Sequence, residues 1–221
     1  MKNAPLILFS VLVLLDSYLV DIQSDLQNLV EPLLAPLILL FYWLKSSSPK
    51  RLVLFAFIFL WIGDLLILFE EGIPFLKWGI FSYWIMQLIL IKYFIDNYKI
   101  YNFGAHLMGI LFYGSYLTIF LSHVYQTLGS MRIHGVVYGL TVSALGSLMI
   151  MELLSRQGKV IILMTLGLFV FSVRDILITY NKCYFNEDFF TYPIPLSHAL
   201  GFFMMVKSFI WLEENKIDEK S

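Results

Sequence analysis

LFAFIFLWIGDLLILF, residues 54–69, is an apolar run broken by a single carboxylate, Asp64. With its flank from Arg51 it is long enough to cross a bilayer as one helix, which takes roughly 17–25 residues. A lone carboxylate in hydrocarbon costs about 2.5–3.5 kcal/mol even on lenient insertion scales, so such groups face a bundle interior and carry function. A second run, IILMTLGLFVFSVRDILITY at 161–180, holds Asp175 next to Arg174. Asp64 and Asp175 are therefore the leading candidates for chemistry.

The rest of the chain fits the same solvent. Of its 221 residues 59% are hydrophobic and 14% are charged, against roughly 25% charged in soluble domains. An integral membrane protein follows, all-α, a polytopic bundle of about eight transmembrane helices in a single domain spanning 1–221. The spans fall near 5–20, 29–44, 51–69, 74–95, 104–121, 135–154, 159–180 and 190–212. The first resembles a signal peptide but runs into Asp16 and Asp21 with no A-x-A site, and reads as a retained span. A net charge of −1 carries no nucleic-acid footprint. One cysteine, Cys183, allows no intrachain disulfide and no cysteine zinc site.

Charge sets the orientation. Lys2, Lys45, Lys50, Arg51, Lys92, Lys99, Arg156, Lys159, Lys216 and Lys220 fall on one side, and Lys77, Arg132 and Lys182 on the other. Positive residues stay inside, so both termini are expected in the cytoplasm, at the cytoplasmic membrane in a bacterial cell. The outer connections are acidic, with Asp21, Asp25, Glu31, Glu70, Glu71, Glu187 and Asp188. At 1.5 Å per residue, Asp64 and Asp175 then lie about 20–24 Å along their spans, in the outer half. Asp16, Glu31, Gln87 and His198 reach similar or shallower levels, so a cavity toward the outer leaflet is expected, with Asp16 and Glu31 near the solvated interface. His106, His123 and His134 are expected in loops or at the interface.

Helix periodicity groups these residues further. Gly79, Tyr83 and Gln87 recur every four positions, and Ser172, Asp175 and Thr179 share another stripe. Arg174 and Asp175 point about 100° apart and need not pair. Arg174 has two further options, snorkelling to headgroups or reaching an acid on another helix. Gly135, Gly139, Ser143 and Ser147 form a small-residue ridge for close helix packing. No G-x-S-x-G elbow, H-E-x-x-H pair or phosphate loop occurs, so neither a metal nor another cofactor is expected.

The order of these motifs resembles the YhhN family of multi-spanning membrane proteins, which includes the lysoplasmalogenases. EPLLAPLILLFY at 31–42 is similar to its Pro-x3-Pro opening, and Gly63-Asp64 to its Gly-Asp motif. Gly79, Tyr83 and Gln87 stand where a glycine, an aromatic and usually a histidine occur. GLFVFSVRDILITYNK at 167–182, with Gly167, Phe171, Asp175 and Asn181, resembles its Gly-x3-Phe-x3-Asp stretch. SHALGFF at 197–203 resembles its final motif. This chain departs from the family at Glu31, where a lysine is typical, at Gln87, at Arg174, where a serine is, and at Phe202, where a glutamine is. Arg174 would restore the cation lost at Glu31.

The resemblance implies hydrolysis of a lysolipid vinyl ether, with a lysolipid-like amphiphile and membrane lipid as partners. Asp64 and Asp175 would be the catalytic pair, one a protonated donor and one an ionised carboxylate, split by unlike surroundings. Gln87, Arg174, His198, Tyr83 and Glu31 would bind substrate or water. The rival readings are a lysolipid-binding protein without turnover and a proton or solute transporter. Transport would favour matched Gly/Pro interruptions in two halves, whereas Pro32 and Pro36 cluster in one span.

Overall fold

Lipid offers no partner to a bare N–H or C=O, so a chain this apolar closes its backbone hydrogen bonds within helices. The computed structural model describes residues 3–22, 26–68, 73–97, 102–155, 158–181 and 193–218. Among these residues there are eight α-helices and no strand: α1 Ala4–Asp21, α2 Gln27–Lys45, α3 Arg51–Leu68, α4 Ile73–Asn97, α5 Phe103–Val124, α6 Arg132–Ser155, α7 Lys159–Tyr180 and α8 Pro193–Asp218. A short 3-10 turn, Gly129–Met131, precedes α6. Seven of these elements are long and apolar enough to cross a membrane, and Ala4–Val20 is a shorter apolar helix. The protein is thus an all-α integral membrane protein.

Local chemistry marks the helix ends. Asn102 caps α5, its side chain accepting from the Ala105 N–H at 3.2 Å. α1 opens with proline in its first turn, where the missing N–H costs nothing. α2 instead carries Pro32 and Pro36 inside the helix, each removing one backbone hydrogen bond. Large apolar side chains such as Leu14, Leu29, Trp78 and Phe103 face outward, which suits hydrocarbon as the solvent.

The helices group into two compact units, Met1–Lys50 with Leu166–Ser221, and Arg51–Thr165. In the first, α1 packs on α2 and α8, and α2 on α8. In the second, α3 packs on α4, α4 on α6, and α5 on α6. The expected small-residue ridge of α6 is a helix contact. Ser147 donates to the Gly109 carbonyl at 3.0 Å and Ser143 to that of Tyr113 at 3.3 Å, so α5 and α6 run antiparallel at close range.

The helices extend further than expected at several ends. Arg132 and His134 lie in the first turn of α6 and His123 in the last turn of α5, while His106 lies near the start of α5, within its expected span. Each of those two α5 histidines takes up a carbonyl one turn back, Asn102 and Ile119 respectively, at 2.8 Å, which lets a polar ring sit on a helix surface. Lys2, Asp25, Glu70, Glu71, Lys99, Arg156, Lys182, Cys183, Glu187, Asp188 and Lys220 lie outside the described residues.

Candidate functional site

Asp64 owes its setting to two glycines. Gly63 on α3 and Gly79 on α4 face each other, and a Cβ built on Gly79 would lie 3.3 Å from the Gly63 carbonyl oxygen. The bare backbones leave room there for the Ile67 side chain over Gly79 and the Tyr83 ring over Gly63. Tyr83, one turn along α4, lays its ring over Gly63 and donates its hydroxyl to Asp64 Oδ1 at 2.5 Å. Ser82 ties the same contact, donating to the Phe59 carbonyl at 2.6 Å. Asp64 is half-buried and Tyr83 buried. The expected stripe of Gly79, Tyr83 and Gln87 thus faces its neighbours in the way periodicity predicted, and Tyr83 and Asp64 meet.

Gln87 continues this stripe. It is buried, and its Oε1 accepts from the hydroxyl of Thr141 on α6. The Tyr83 ring lies 6.4 Å from that of Tyr138, tilted by 51°. Since 83 pairs with 138 and 87 with 141, α4 and α6 run parallel here. Thr141 and Tyr138 were not among the sequence candidates. Their contacts depend on which helices are neighbours, and no local pattern carries that.

In the other unit, α7 and α8 hold a second polar group. Arg174 is 7% exposed, with Nη1 3.8 Å from Asp175 Oδ1. It has folded back on its neighbour rather than reaching outward, since a long guanidinium stem spans the angle between adjacent helix positions. Thr179 donates to the Asp175 carbonyl at 2.8 Å and Ser172 to that of Leu168 at 3.0 Å. These back-bonds satisfy two hydroxyls of the expected Asp175 stripe. His198 is buried edge-on against Phe171 and Phe202, with ring centroids 5.6 and 5.0 Å away. Gly167 and Gly201 let α7 and α8 approach beside these rings. Glu31 is half-buried on α2.

Three buried acids complete the picture. Asp16 is 0% exposed, and neither carboxylate oxygen has a hydrogen-bond partner among the described residues. It was expected near solvent, but the packing of α1 on α2 and α8 encloses it. Glu152 of α6 and Glu213 of α8 are also buried and escaped the sequence reading. Glu213 accepts from the Tyr42 hydroxyl at 2.5 Å and from Ser46 Oγ, while the Lys50 N–H donates to the Tyr42 oxygen at 2.9 Å. This knot fastens the end of α2 and the following turn to α8.

Comparison with known proteins decides the relationship. The family profile described as YhhN family matches residues 26–209. The chain belongs to the YhhN family. The YhhN match covers most of the chain, from the start of α2 into α8, and contains Glu31, Asp64, Tyr83, Gln87, Arg174, Asp175 and His198. It leaves α1, and Asp16 with it, outside. Neither a curated protein nor a solved structure matches the chain.

Proposed function

We propose that this YhhN chain hydrolyses the vinyl ether bond of a lysolipid within the membrane, as a lysoplasmalogenase does. The reading rests on one observation above the others. Asp64, an acid in a membrane span, is held by a 2.5 Å hydrogen bond from Tyr83 at a glycine-lined helix contact. Membership of the YhhN family supports the same reading.

Vinyl ether hydrolysis begins with proton transfer to the carbon remote from oxygen. The resulting oxocarbenium ion takes up water, which gives its proton to a carboxylate. The hemiacetal then collapses, its carbon–oxygen bond breaking to release a fatty aldehyde and a free glycerol hydroxyl. In this scheme Asp64 is the general acid. Tyr83 occupies Oδ1, so the transferable proton is carried on Oδ2. Asp175, with the Arg174 guanidinium beside it, supplies the carboxylate, and Arg174, Gln87 and His198 bind polar parts of the lipid or water.

Release of aldehyde from a lysoplasmalogen by the purified protein is the test. Lysolipid binding without any aldehyde would identify instead a family member that holds the lipid and does not turn it over.

A further inference from the structure

Thr141 belongs to no motif, yet it meets Gln87 across the parallel α4–α6 contact. A threonine hydroxyl has one proton to give. Three acceptors are within its reach: Gln87 Oε1, the Tyr138 carbonyl at 2.9 Å and the Val137 carbonyl at 3.4 Å. The two carbonyls lie in the interior of α6, where each already accepts from the backbone four residues on. Gln87 Oε1 is buried on another helix, and leaving it without a donor costs its full desolvation, about 1–3 kcal/mol. The proton therefore goes to Gln87.

We infer that Thr141 is a positioning residue of the Asp64 site, holding the oxygen of the Gln87 carboxamide so that its NH2 end is the one offered to a ligand. This deepens the proposed function and rests on it for the identity of the lipid. A carboxamide held in this way turns its two N–H donors away from Thr141. It receives an oxygen acceptor of the lysolipid, an ether, ester or phosphate oxygen. That acceptor lies about 6 Å along α4 from Tyr83, one helical turn. Being uncharged, Gln87 neither gives nor takes the reaction's proton.

The test measures binding apart from turnover. The probe is a 1-O-alkyl lysophospholipid, whose saturated ether has no double bond to protonate. Its affinity for the full-length purified protein is measured alongside hydrolysis of the matching vinyl ether. Thr141→Val should weaken probe binding about tenfold, the worth of one well-made hydrogen bond, and raise KM with little change in kcat. Thr141→Ser should restore both. Gln87→Met should match Thr141→Val, and the double variant should be no worse than Gln87→Met alone, because both remove one interaction. This pattern in the binding data supports the assignment whether or not the wild-type chain releases aldehyde. Normal binding by Thr141→Val, or losses that add in the double variant, would overturn it, as would no binding of the probe by the wild-type chain. If Thr141→Val does not fold, unchanged binding by Gln87→Met overturns it alone.

Discussion

Tyr83 reaches Asp64 only because Gly63 has no side chain. The phenol lies over the bare backbone of α3 and donates to the neighbouring carboxyl at 2.5 Å. If Asp64 is the acid of the reaction, Asp64→Asn removes the transferable proton and keeps the shape. Aldehyde release should fall on the order of 10²-fold or more, with insertion and folding retained. Tyr83→Phe removes only the bond that orients the acid and should cost about tenfold. A Tyr83→Phe loss as large as that of Asp64→Asn would give the phenol a direct part in proton transfer.

Gly63→Ala tests the contact itself. The new Cβ would fall 2.5 Å from Tyr83 Cε1 and 3.2 Å from the Gly79 carbonyl oxygen. The ring must move, and the backbone beyond it leaves little room. Overpacking of this kind costs about 1–3 kcal/mol, visible as a lower thermal midpoint in detergent. Activity should fall at least as far as in Tyr83→Phe, since the displaced ring no longer reaches Asp64.

The Arg174 guanidinium lies 3.8 Å from Asp175. If it acts with Asp175 in the reaction, Arg174→Met should cut kcat while Arg174→Lys retains most of it. Asp175→Asn should be as damaging as Asp64→Asn. An Arg174→Met protein with unchanged kcat and a raised KM would make the cation a lipid-binding group instead.

The residues that could be found from sequence were those with a local signature. An acid in a hydrocarbon span stands out wherever it occurs, as Asp64 and Asp175 did. The four-residue recurrence from Gly79 to Gln87 gave one helix face. Gly63 was visible in the Gly63-Asp64 pair, and it makes the close contact with Gly79. Thr141 and Tyr138 had no such mark, because a threonine or tyrosine on an apolar helix reads as filler until α4 and α6 are known to be parallel neighbours. Glu213 was lost for another reason. It follows an apolar run and opens a charged stretch, so it reads as a solvated tail, yet Tyr42 and Ser46 meet it in the interior. Asp16 looked solvated because α1 is short, and the two helices packed on it decide otherwise.

The Glu213 knot should matter to stability more than to chemistry. Glu213→Ala leaves the Tyr42 and Ser46 hydroxyls without their acceptor, and stranding the buried Tyr42 hydroxyl costs about 1–3 kcal/mol, the half-buried Ser46 less. The thermal midpoint should drop well below that of Tyr42→Phe, which removes that hydroxyl with its bonds to Glu213 and Lys50 but leaves the carboxylate its Ser46 partner. Aldehyde release per folded molecule should stay at the wild-type level in both. Loss of activity in a Glu213→Ala protein that melts normally would bring this end of α8 into the reaction.

Orientation in the membrane is the last expectation to test, and it turns on the α5–α6 connection. The positive-inside count places that connection outside and both termini inside. At its end Arg132, the first residue of α6, donates to the Tyr125 carbonyl at 3.1 Å and stands over the Tyr125 ring at 5.2 Å. Gln126 is exposed between them. In a Cys183→Ser background, Gln126→Cys should react with a membrane-impermeant thiol reagent added to intact cells. A cysteine at Ser47, exposed after α2, should react only once the membrane is opened. The reverse pattern would invert the protein and move Asp64 and Asp175 from the outer half of the bilayer to the inner. The lysolipid would then have to enter from the cytoplasmic leaflet.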